Sequence, residues 1–145
     1  MHQIRLRYLA IVLIGCGHSP SAAPAPTPVP FAVTLDSTAY HRRGNSPVSI
    51  PFTVTNRGSE TLYLTQCKGS ATAVVDRLSW GNFRQLEGDF CSGPAEPPLA
   101  LAAGASASGS VLLYDGGNYR LRVAASGHPD GTGRIDVASQ PFDVW

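Results

Sequence analysis

The sequence predicts an all-β fold, an antiparallel β-sandwich of about seven or eight short strands. Short runs of alternating apolar and polar residues recur through residues 31–145, which is typical of strands with one buried face. Gly, Pro, Asn and Asp separate these runs, and such residues favour turns. Apolar residues at the helical period are missing. We therefore expect one domain of two packed sheets over residues 31–145.

The first predicted strand covers residues 31–39, and a polar loop that contains His41 follows it. Two further runs, 48–55 and 61–65, flank the sequence Asn-Arg-Gly-Ser at 56–59. Because Gly and Asn tolerate positive φ, this segment predicts a β-hairpin between the two runs.

A second hairpin is predicted from residues 74–80 and 83–86, which are joined by a Gly-Asn dipeptide suited to a two-residue turn. Trp80 and Phe83 then lie opposite each other at the tip of this hairpin. Two interpretations stay open: the aromatic pair caps the core, or it forms an exposed platform for a sugar or a peptide.

A third hairpin is predicted around the turn at 115–118, between strands at 111–114 and 119–125. In the second of these strands apolar residues alternate with arginines, which indicates one dry and one wet face. A closing strand is expected near 135–144. Pro141 lies inside it and lacks a backbone donor, so we expect an edge strand or a bulge there.

The order of these strand and turn residues resembles a known class of domain. Phe52-Thr53-Val54-Thr55-Asn56 is followed by Leu62-Tyr63-Leu64, by Gly104 before a serine-rich strand, and by Gly117-Asn118-Tyr119-Arg120-Leu121. This order is similar to that of the immunoglobulin-like sandwiches of bacterial envelope proteins, and its spacing is similar to that of the BsuPI proteinase inhibitor domains. The resemblance implies an immunoglobulin-like sandwich and, from the second family, inhibition of a protease. The aromatic and acidic signatures of that family after the second hairpin strand are not found in this chain.

Residues 1–15 have the organisation of a secretory signal peptide. Arg5 and Arg7 form its positive end, and a short apolar run at 8–14 follows. Leu13-Ile14-Gly15-Cys16 resembles the lipobox of bacterial lipoproteins. The resemblance implies cleavage after Gly15, a diacylglycerol on the Cys16 sulfur, and anchoring of the exported chain to a bacterial membrane through acyl chains. The alternative is an ordinary signal peptide that contains a cysteine.

Residues 16–30 are expected to form the lipid anchor and a Pro/Ala-rich linker. Prolines at every second position from Pro24 onward exclude a helix and a paired strand, so we expect a polyproline II spacer of roughly 35 to 40 Å. A ligand for a proline-recognition domain is the alternative. Gly17 stands where an aspartate favours retention at the inner membrane of enteric bacteria, which favours the outer membrane for this chain.

Two further cysteines, Cys67 and Cys91, lie in the predicted domain. An even pair in an exported domain predicts a disulfide. This bridge would close a loop of about 25 residues and stabilise the fold by roughly 3 to 4 kcal/mol. A catalytic thiol and a metal pair are the alternatives, although no histidine is near either cysteine in the sequence.

Composition and motifs point away from catalysis and from nucleic acid. Charged residues make up 14% of the chain, and without Arg5 and Arg7 nine basic side chains stand against ten acidic ones, so no basic surface for nucleic acid is expected. The domain contains His41 and His128, and neither has a partner at metal-ligand spacing. Asp130 begins an Asp-Gly-Thr-Gly segment that lacks the ligands of a calcium loop and predicts a turn. We therefore expect no metal, no cofactor and no enzyme activity.

These observations predict a membrane-tethered, non-catalytic lipoprotein of the cell envelope that binds a protein or another envelope component. Its expected partners are the lipid bilayer, through Cys16, and an envelope protein, while its oligomeric state stays open. A protease inhibitor is the first alternative, and a hydrolase of unrecognised type is the second. The candidate binding residues lie in loops and at a hairpin tip: His41, Arg42, Arg43, Trp80, Phe83, His128 and Asp130.

Overall fold

The computed structural model describes residues 30–86, 91 and 96–145. Thirteen strands and no helix lie in these residues, so the predicted all-β class is confirmed. The strands are β1 (Phe31–Leu35), β2 (Ala39–Tyr40), β3 (Val48–Asn56), β4 (Leu62–Leu64), β5 (Gln66–Cys67), β6 (Ser70–Ala71), β7 (Val74–Ser79), β8 (Asn82–Gln85), β9 (Leu99–Leu101), β10 (Ser106–Leu113), β11 (Gly117–Ser126), β12 (Ile135–Ala138) and β13 (Phe142–Val144). The predicted signal peptide, Cys16 and most of the linker lie outside the described residues. In the part that is described, no helix has the length and apolarity needed to cross a membrane.

The strands form two main sheets. In the first sheet β3 lies between β1 and β10. In the second sheet β11 is central, with β12 and β13 on one side and β4 and β7 on the other. Outer strands extend this sheet: β2 beyond β13 in parallel, β8 beyond β7, and β9 beyond β4. β5 and β6 form a separate two-stranded ladder.

This strand order is that of an immunoglobulin-like sandwich. In that fold the first, second and fifth strands share one sheet, and the third, sixth and seventh share the other. Here β1, β3 and β10 form the first group, and β4, β11 and the interrupted strand β12/β13 form the second. Tyr119, near the start of β11, is 1% exposed, and its hydroxyl donates to the carbonyl oxygen of Asp115 at 3.0 Å. This contact is the tyrosine corner of such sandwiches.

The core lies between the two sheets and follows the alternation in the sequence. Every second residue of the two central strands is buried: Ile50, Phe52 and Val54 in β3, and Tyr119, Leu121 and Val123 in β11. Burying each such side chain contributes about 1.5 to 3 kcal/mol. The arginines between the buried residues of β11 form ion pairs on the outer face of the second sheet. The predicted dry and wet faces of this strand are therefore confirmed.

Two of the three predicted hairpins are wrong, because the chain changes sheet at both turns. β3 pairs with β1 and β10, whereas β4 pairs with β11 and β9. Asn56, which is 1% exposed, fixes the first crossing: its side-chain amide donates to the carbonyl oxygens of Glu60 and Leu101 at 2.7 and 2.9 Å. The second crossing is the turn at 115–118, which connects β10 in one sheet to β11 in the other.

The hairpin of β7 and β8 is confirmed, with its turn shifted by one residue. Ser79 pairs with Asn82, so the two turn residues are Trp80 and Gly81, with φ values of 54° and 77°. Two consecutive positive φ values are typical of a type I′ turn. Phe83 is therefore not the cross-strand partner of Trp80, and the expected pairing of these two rings is wrong.

The closing strand is interrupted near Pro141, as expected, and gives the two short strands β12 and β13. Ser139 lies in the interruption, and its hydroxyl oxygen accepts a hydrogen bond from the backbone N–H of Leu121 at 3.0 Å. The side chain thus replaces a ladder bond where the strand is irregular.

Cys67 and Cys91 form the predicted disulfide, with their Cα atoms 5.7 Å apart. The bridge spans 24 residues of sequence, and this loop includes the whole hairpin of β7 and β8. By loop entropy a bridge of this span contributes about 3 kcal/mol to stability.

Candidate functional site

Three exposed aromatic side chains lie at one end of the sandwich. Trp80 is 93% exposed, Tyr114 62% and Trp145 56%. They share this end because β7, β10 and β13 all finish close to Gly117, the first residue of β11. We call this surface the aromatic end, and it consists of the residues 41–47, Trp80, Gly81, 114–116 and Trp145.

Backbone and side-chain hydrogen bonds join the loops of the aromatic end into one surface. The backbone N–H of Arg42 donates to the carbonyl oxygen of Trp145 at 2.7 Å. The Arg77 guanidinium donates from Nη2 to the carbonyl oxygen of Gly116 at 2.8 Å and lies 5.7 Å from the centre of the Tyr119 ring. Burial raises the pKa of the Tyr119 hydroxyl, and the positive charge of Arg77 opposes this shift. Elements from four neighbouring strands are therefore held in a fixed arrangement.

Trp80 is the most exposed aromatic residue described, and its backbone conformation is unusual. A positive φ is uncommon for a residue with a bulky side chain, and such a conformation costs about 1 to 3 kcal/mol. A small polar residue would occupy this position in a type I′ turn without that cost. The interpretation that Trp80 caps the core is therefore wrong: the side chain projects into solvent from the hairpin tip.

Phe83 and Arg120 support the hairpin from the outer face of the second sheet. Phe83 is half-buried and lies opposite Leu78, while the guanidinium carbon of Arg120 is 4.4 Å from the centre of the Phe83 ring. A cation–π contact of this kind contributes about 0.5 to 1 kcal/mol at a partly exposed site. Phe83 thus belongs to the base of the hairpin, whereas Trp80 belongs to its tip.

An ion-pair network around Asp76 fixes the same hairpin to the sheet. The Asp76 side chain is 3% exposed and accepts hydrogen bonds from Arg120 Nε at 3.0 Å and from Arg122 Nη2 at 3.1 Å. The hydrogen bond to Asp76 raises the pKa of Arg122. Arg122 also donates to the side-chain oxygen of Gln85 in β8 at 3.0 Å. Because Asp76 and Arg122 connect β7, β8 and β11, the base of the hairpin that carries Trp80 is held against the sheet.

His41, Arg42 and Arg43 form the loop side of the aromatic end. The Trp145 indole donates from Nε1 to the His41 imidazole, and the two ring centres are 5.0 Å apart at 71°. Arg42 is half-buried and donates from Nη2 to the carbonyl oxygen of Gly44 at 3.3 Å, while its Nε atom is buried with no hydrogen-bond partner among the described residues. Arg43 is exposed.

Side-chain charges at the aromatic end are mainly positive. The side chains of Arg42 and Arg43 stand against one side-chain carboxylate, that of Asp115, and Arg84 lies three residues beyond Gly81, in β8. Within the described part of the chain none of these three arginines forms a salt bridge. The positive charge of this surface is therefore not neutralised by the chain's described residues.

His128 and Asp130 lie at the opposite end of the sandwich, some distance from the other candidate residues. β11 has ten residues, which separates the two ends by about 33 Å. Asp130 accepts hydrogen bonds from the backbone and side chain of Thr132 at 2.9 and 2.8 Å, and these bonds lower its pKa. The segment is thus the turn that the sequence predicts. His128, two residues before Asp130, lines a cavity of about 310 Å³ together with Pro30. We call this end of the sandwich the Pro30 end.

The described residues provide no assembled metal centre. Across residues 30–86, 91 and 96–145 no group of three or more His, Cys, Asp or Glu side chains lies close enough to hold a metal ion. His41 and His128 are both exposed and lie at opposite ends. The cysteines of the domain are bonded to each other, which removes the alternatives of a catalytic thiol and of a metal pair.

The structure therefore divides the candidate residues into two groups. His41, Arg42, Arg43 and Trp80 come together at the aromatic end, whereas His128 and Asp130 do not join them. Sequence reasoning missed Tyr114 and Trp145. Each is an aromatic residue directly after a strand and continues the alternation of that strand on its exposed face, which is a signal that could have found both residues.

The immunoglobulin-like sandwich places the protein in a broad class of folds. No protein-family model matches the chain, and no curated protein is similar to it in sequence. Among solved structures, the ASH/PapD-like domain 7 of human CEP192 is similar, with 10% identity over 90% of this chain and 95% of that one and a TM-score of 0.47. A β-glucosidase from Listeria innocua shares 11% identity over 79% of this chain and 16% of its own, with a TM-score of 0.32. We draw no functional argument from either likeness.

Proposed function

We propose that this protein is a non-catalytic binding module of the bacterial cell envelope, tethered by lipid on Cys16, and that the aromatic end is its binding surface. The observation that carries the proposal is the 93% exposure of Trp80. An indole exposed to this extent, at the tip of a hairpin and in an unfavourable backbone conformation, contributes nothing to the core. Exposed aromatic residues that cluster on one surface mark sites of interaction.

The lipid anchor and the linker are part of this proposal. The lipobox-like sequence before Cys16 and the proline-rich segment that follows it support export, lipidation and a spacer. Residue 30, where that segment meets the domain, lies at the Pro30 end, and its carbonyl oxygen accepts hydrogen bonds from Arg57 and Gly58. The aromatic end is about 33 Å further from this attachment point. A partner that approaches from outside the anchoring membrane therefore meets the aromatic end first. Gly17 after Cys16 favours the outer membrane.

The anchor is tested by the intact mass of the protein purified from its own cells. We expect a chain that lacks residues 1–15 and carries acyl chains, and we expect Cys16→Ala to abolish both changes. A chain that is cleaved elsewhere and carries no lipid contradicts the anchoring part of the proposal.

The binding surface is tested by chemical cross-linking in cells, followed by detergent extraction and mass spectrometry. We expect a reproducible cross-linked component that is lost in Trp80→Ala and in Cys16→Ala. Ile135→Ala is the matched control, because Ile135 is an exposed apolar residue, 41% accessible, on β12 towards the Pro30 end. Equal cross-linking in all four proteins contradicts the aromatic end as the binding surface.

Protease inhibition is the second candidate, and it rests on the resemblance of the strand spacing in the sequence to that of the BsuPI domains. Incubation of the purified protein with serine, cysteine, aspartic and metalloproteases tests it. Unchanged proteolytic rates across this panel contradict it, while inhibition that Trp80→Ala abolishes would make a protease the partner of the aromatic end.

A further inference from the structure

We infer that the aromatic end binds an acidic surface of a second protein, with Trp80 as the anchor that fills an apolar pocket of that partner. This inference rests on the proposed function. The residue types at the aromatic end carry the first step: Trp80, Tyr114 and Trp145 are joined there by Arg42 and Arg43, and the surface contains no Lys and no Glu. Aromatic residues and Arg are enriched in protein interfaces, whereas Lys and Glu are depleted. Trp, Tyr and Arg also dominate the residues that contribute most to binding.

The charges indicate an acidic partner. Arg42, Arg43 and Arg84 have no salt-bridge partner in the part of the chain that the structure describes. An arginine side chain binds carboxylates through two parallel hydrogen bonds. Carboxylates of a partner would therefore complete contacts that the described residues leave open.

The geometry fits one interface of ordinary size. In the second sheet the strands lie in the order β2, β13, β11, β7. Arg42 lies in the loop that follows β2 and Trp80 in the turn that follows β7, so three strand spacings of about 4.8 Å separate the two residues by roughly 15 Å. A standard interface covers about 800 Å² on each partner. One partner can thus contact the arginines and the indole at the same time.

The surface does not suit a bilayer or a flat glycan as well. Asp115 directly follows Tyr114, and a carboxylate among the inserted residues opposes entry into a membrane. The Trp145 indole stands at 71° to the His41 ring that it contacts, so these two rings do not form one flat face on which a sugar could stack. Trp80 projects alone from a two-residue turn, which suits insertion into a pocket.

Photo-cross-linking with the full chain in its own cells tests this inference. A photoreactive amino acid replaces Asn82 beside the hairpin tip, and in a second protein it replaces Thr132 at the Pro30 end. Both positions are exposed. We expect a discrete protein adduct at position 82, none at position 132, and loss of the adduct when Trp80→Ala is added. Circular dichroism of each variant checks that the sandwich is intact.

The adduct protein is then produced separately and its affinity for the purified chain is measured at two salt concentrations. We expect Trp80→Ala to weaken binding by at least about 30-fold. We expect Arg43→Glu to weaken it by about tenfold and to reduce its salt dependence, since it reverses a charge at the interface. Ile135→Ala serves again as the control without effect. An affinity that is unaffected by Arg43→Glu and by salt overturns the acidic partner.

The remaining outcomes separate the inference from the proposed function. A lipid or glycan adduct at position 82 that depends on Trp80 overturns a protein partner and leaves the aromatic end as the binding surface. Equal adducts at positions 82 and 132, or none at either, overturn both.

Discussion

Removal of the Tyr119 hydroxyl tests whether the tyrosine corner stabilises the crossing between the two sheets. Tyr119 is 1% exposed, and its hydroxyl donates to the carbonyl oxygen of Asp115 at 3.0 Å. A hydrogen bond of this type contributes about 0.5 to 1.5 kcal/mol net. Asp115 is exposed, so water can solvate its carbonyl oxygen after the change. We expect Tyr119→Phe to lower the free energy of unfolding by about 1 kcal/mol.

Urea denaturation followed by far-ultraviolet circular dichroism measures this change, because both tryptophans are exposed and report poorly on the core. The midpoint should fall with no change of slope. The matched control is Tyr114→Phe, which removes the same atom from a side chain that is 62% exposed, and we expect it to leave the midpoint unchanged. A loss below about 0.3 kcal/mol for Tyr119→Phe, or equal losses in the two variants, would refute the stabilising role of the corner.

Three further changes probe other contacts. Asp76→Ala removes a buried acceptor of two arginines and should lower the free energy of unfolding in urea by about 2 to 3 kcal/mol. This is less than the cost of breaking a fully buried ion pair, because water can hydrate both arginines after the change. A loss under about 1 kcal/mol contradicts a stabilising role of the network. Gly109→Ala places a Cβ atom well inside van der Waals contact with the carbonyl oxygen of Ala71 and the Phe52 ring, and should cost about 2 kcal/mol or more. An unchanged midpoint is the contrary result. Burial raises the pKa of Tyr40 to about 12 from about 10 when unfolded, so its contribution of about 3 kcal/mol is complete below pH 10 and is lost as the pH rises through 12. Tyr40→Phe should remove that part of the alkaline decline in thermal stability, and an identical decline in both proteins would contradict it.

Local features could be predicted because they depend on neighbours in the sequence. The alternation in β3 and β11 follows from the period of two in a strand, and both strands have the predicted buried residues. The hairpin of β7 and β8 could be predicted because its ends pair with each other. The pairing of Cys67 with Cys91 followed from their even number in the domain.

The choice of sheet could not be predicted from the turns. Asn56 and Gly58 favour a reversal of the chain, and they do form a turn, but the strand after it joins the opposite sheet. The deciding contact is the hydrogen bond from the Asn56 amide to the carbonyl oxygen of Leu101, 45 residues away. A turn motif carries no information about a partner so distant in the chain.

By itself the sequence determined most strands of the two main sheets, the buried faces of β3 and β11, the disulfide, and the separate presence of a polar loop at 41–45 and an aromatic residue at position 80. Only the tertiary structure decided that these residues share a surface with Tyr114 and Trp145. The physical reason is that the register of β7, β10, β11 and β13 sets which strand ends meet. That register depends on core packing between residues far apart in the chain, so the aromatic end exists only once both sheets have closed around the core.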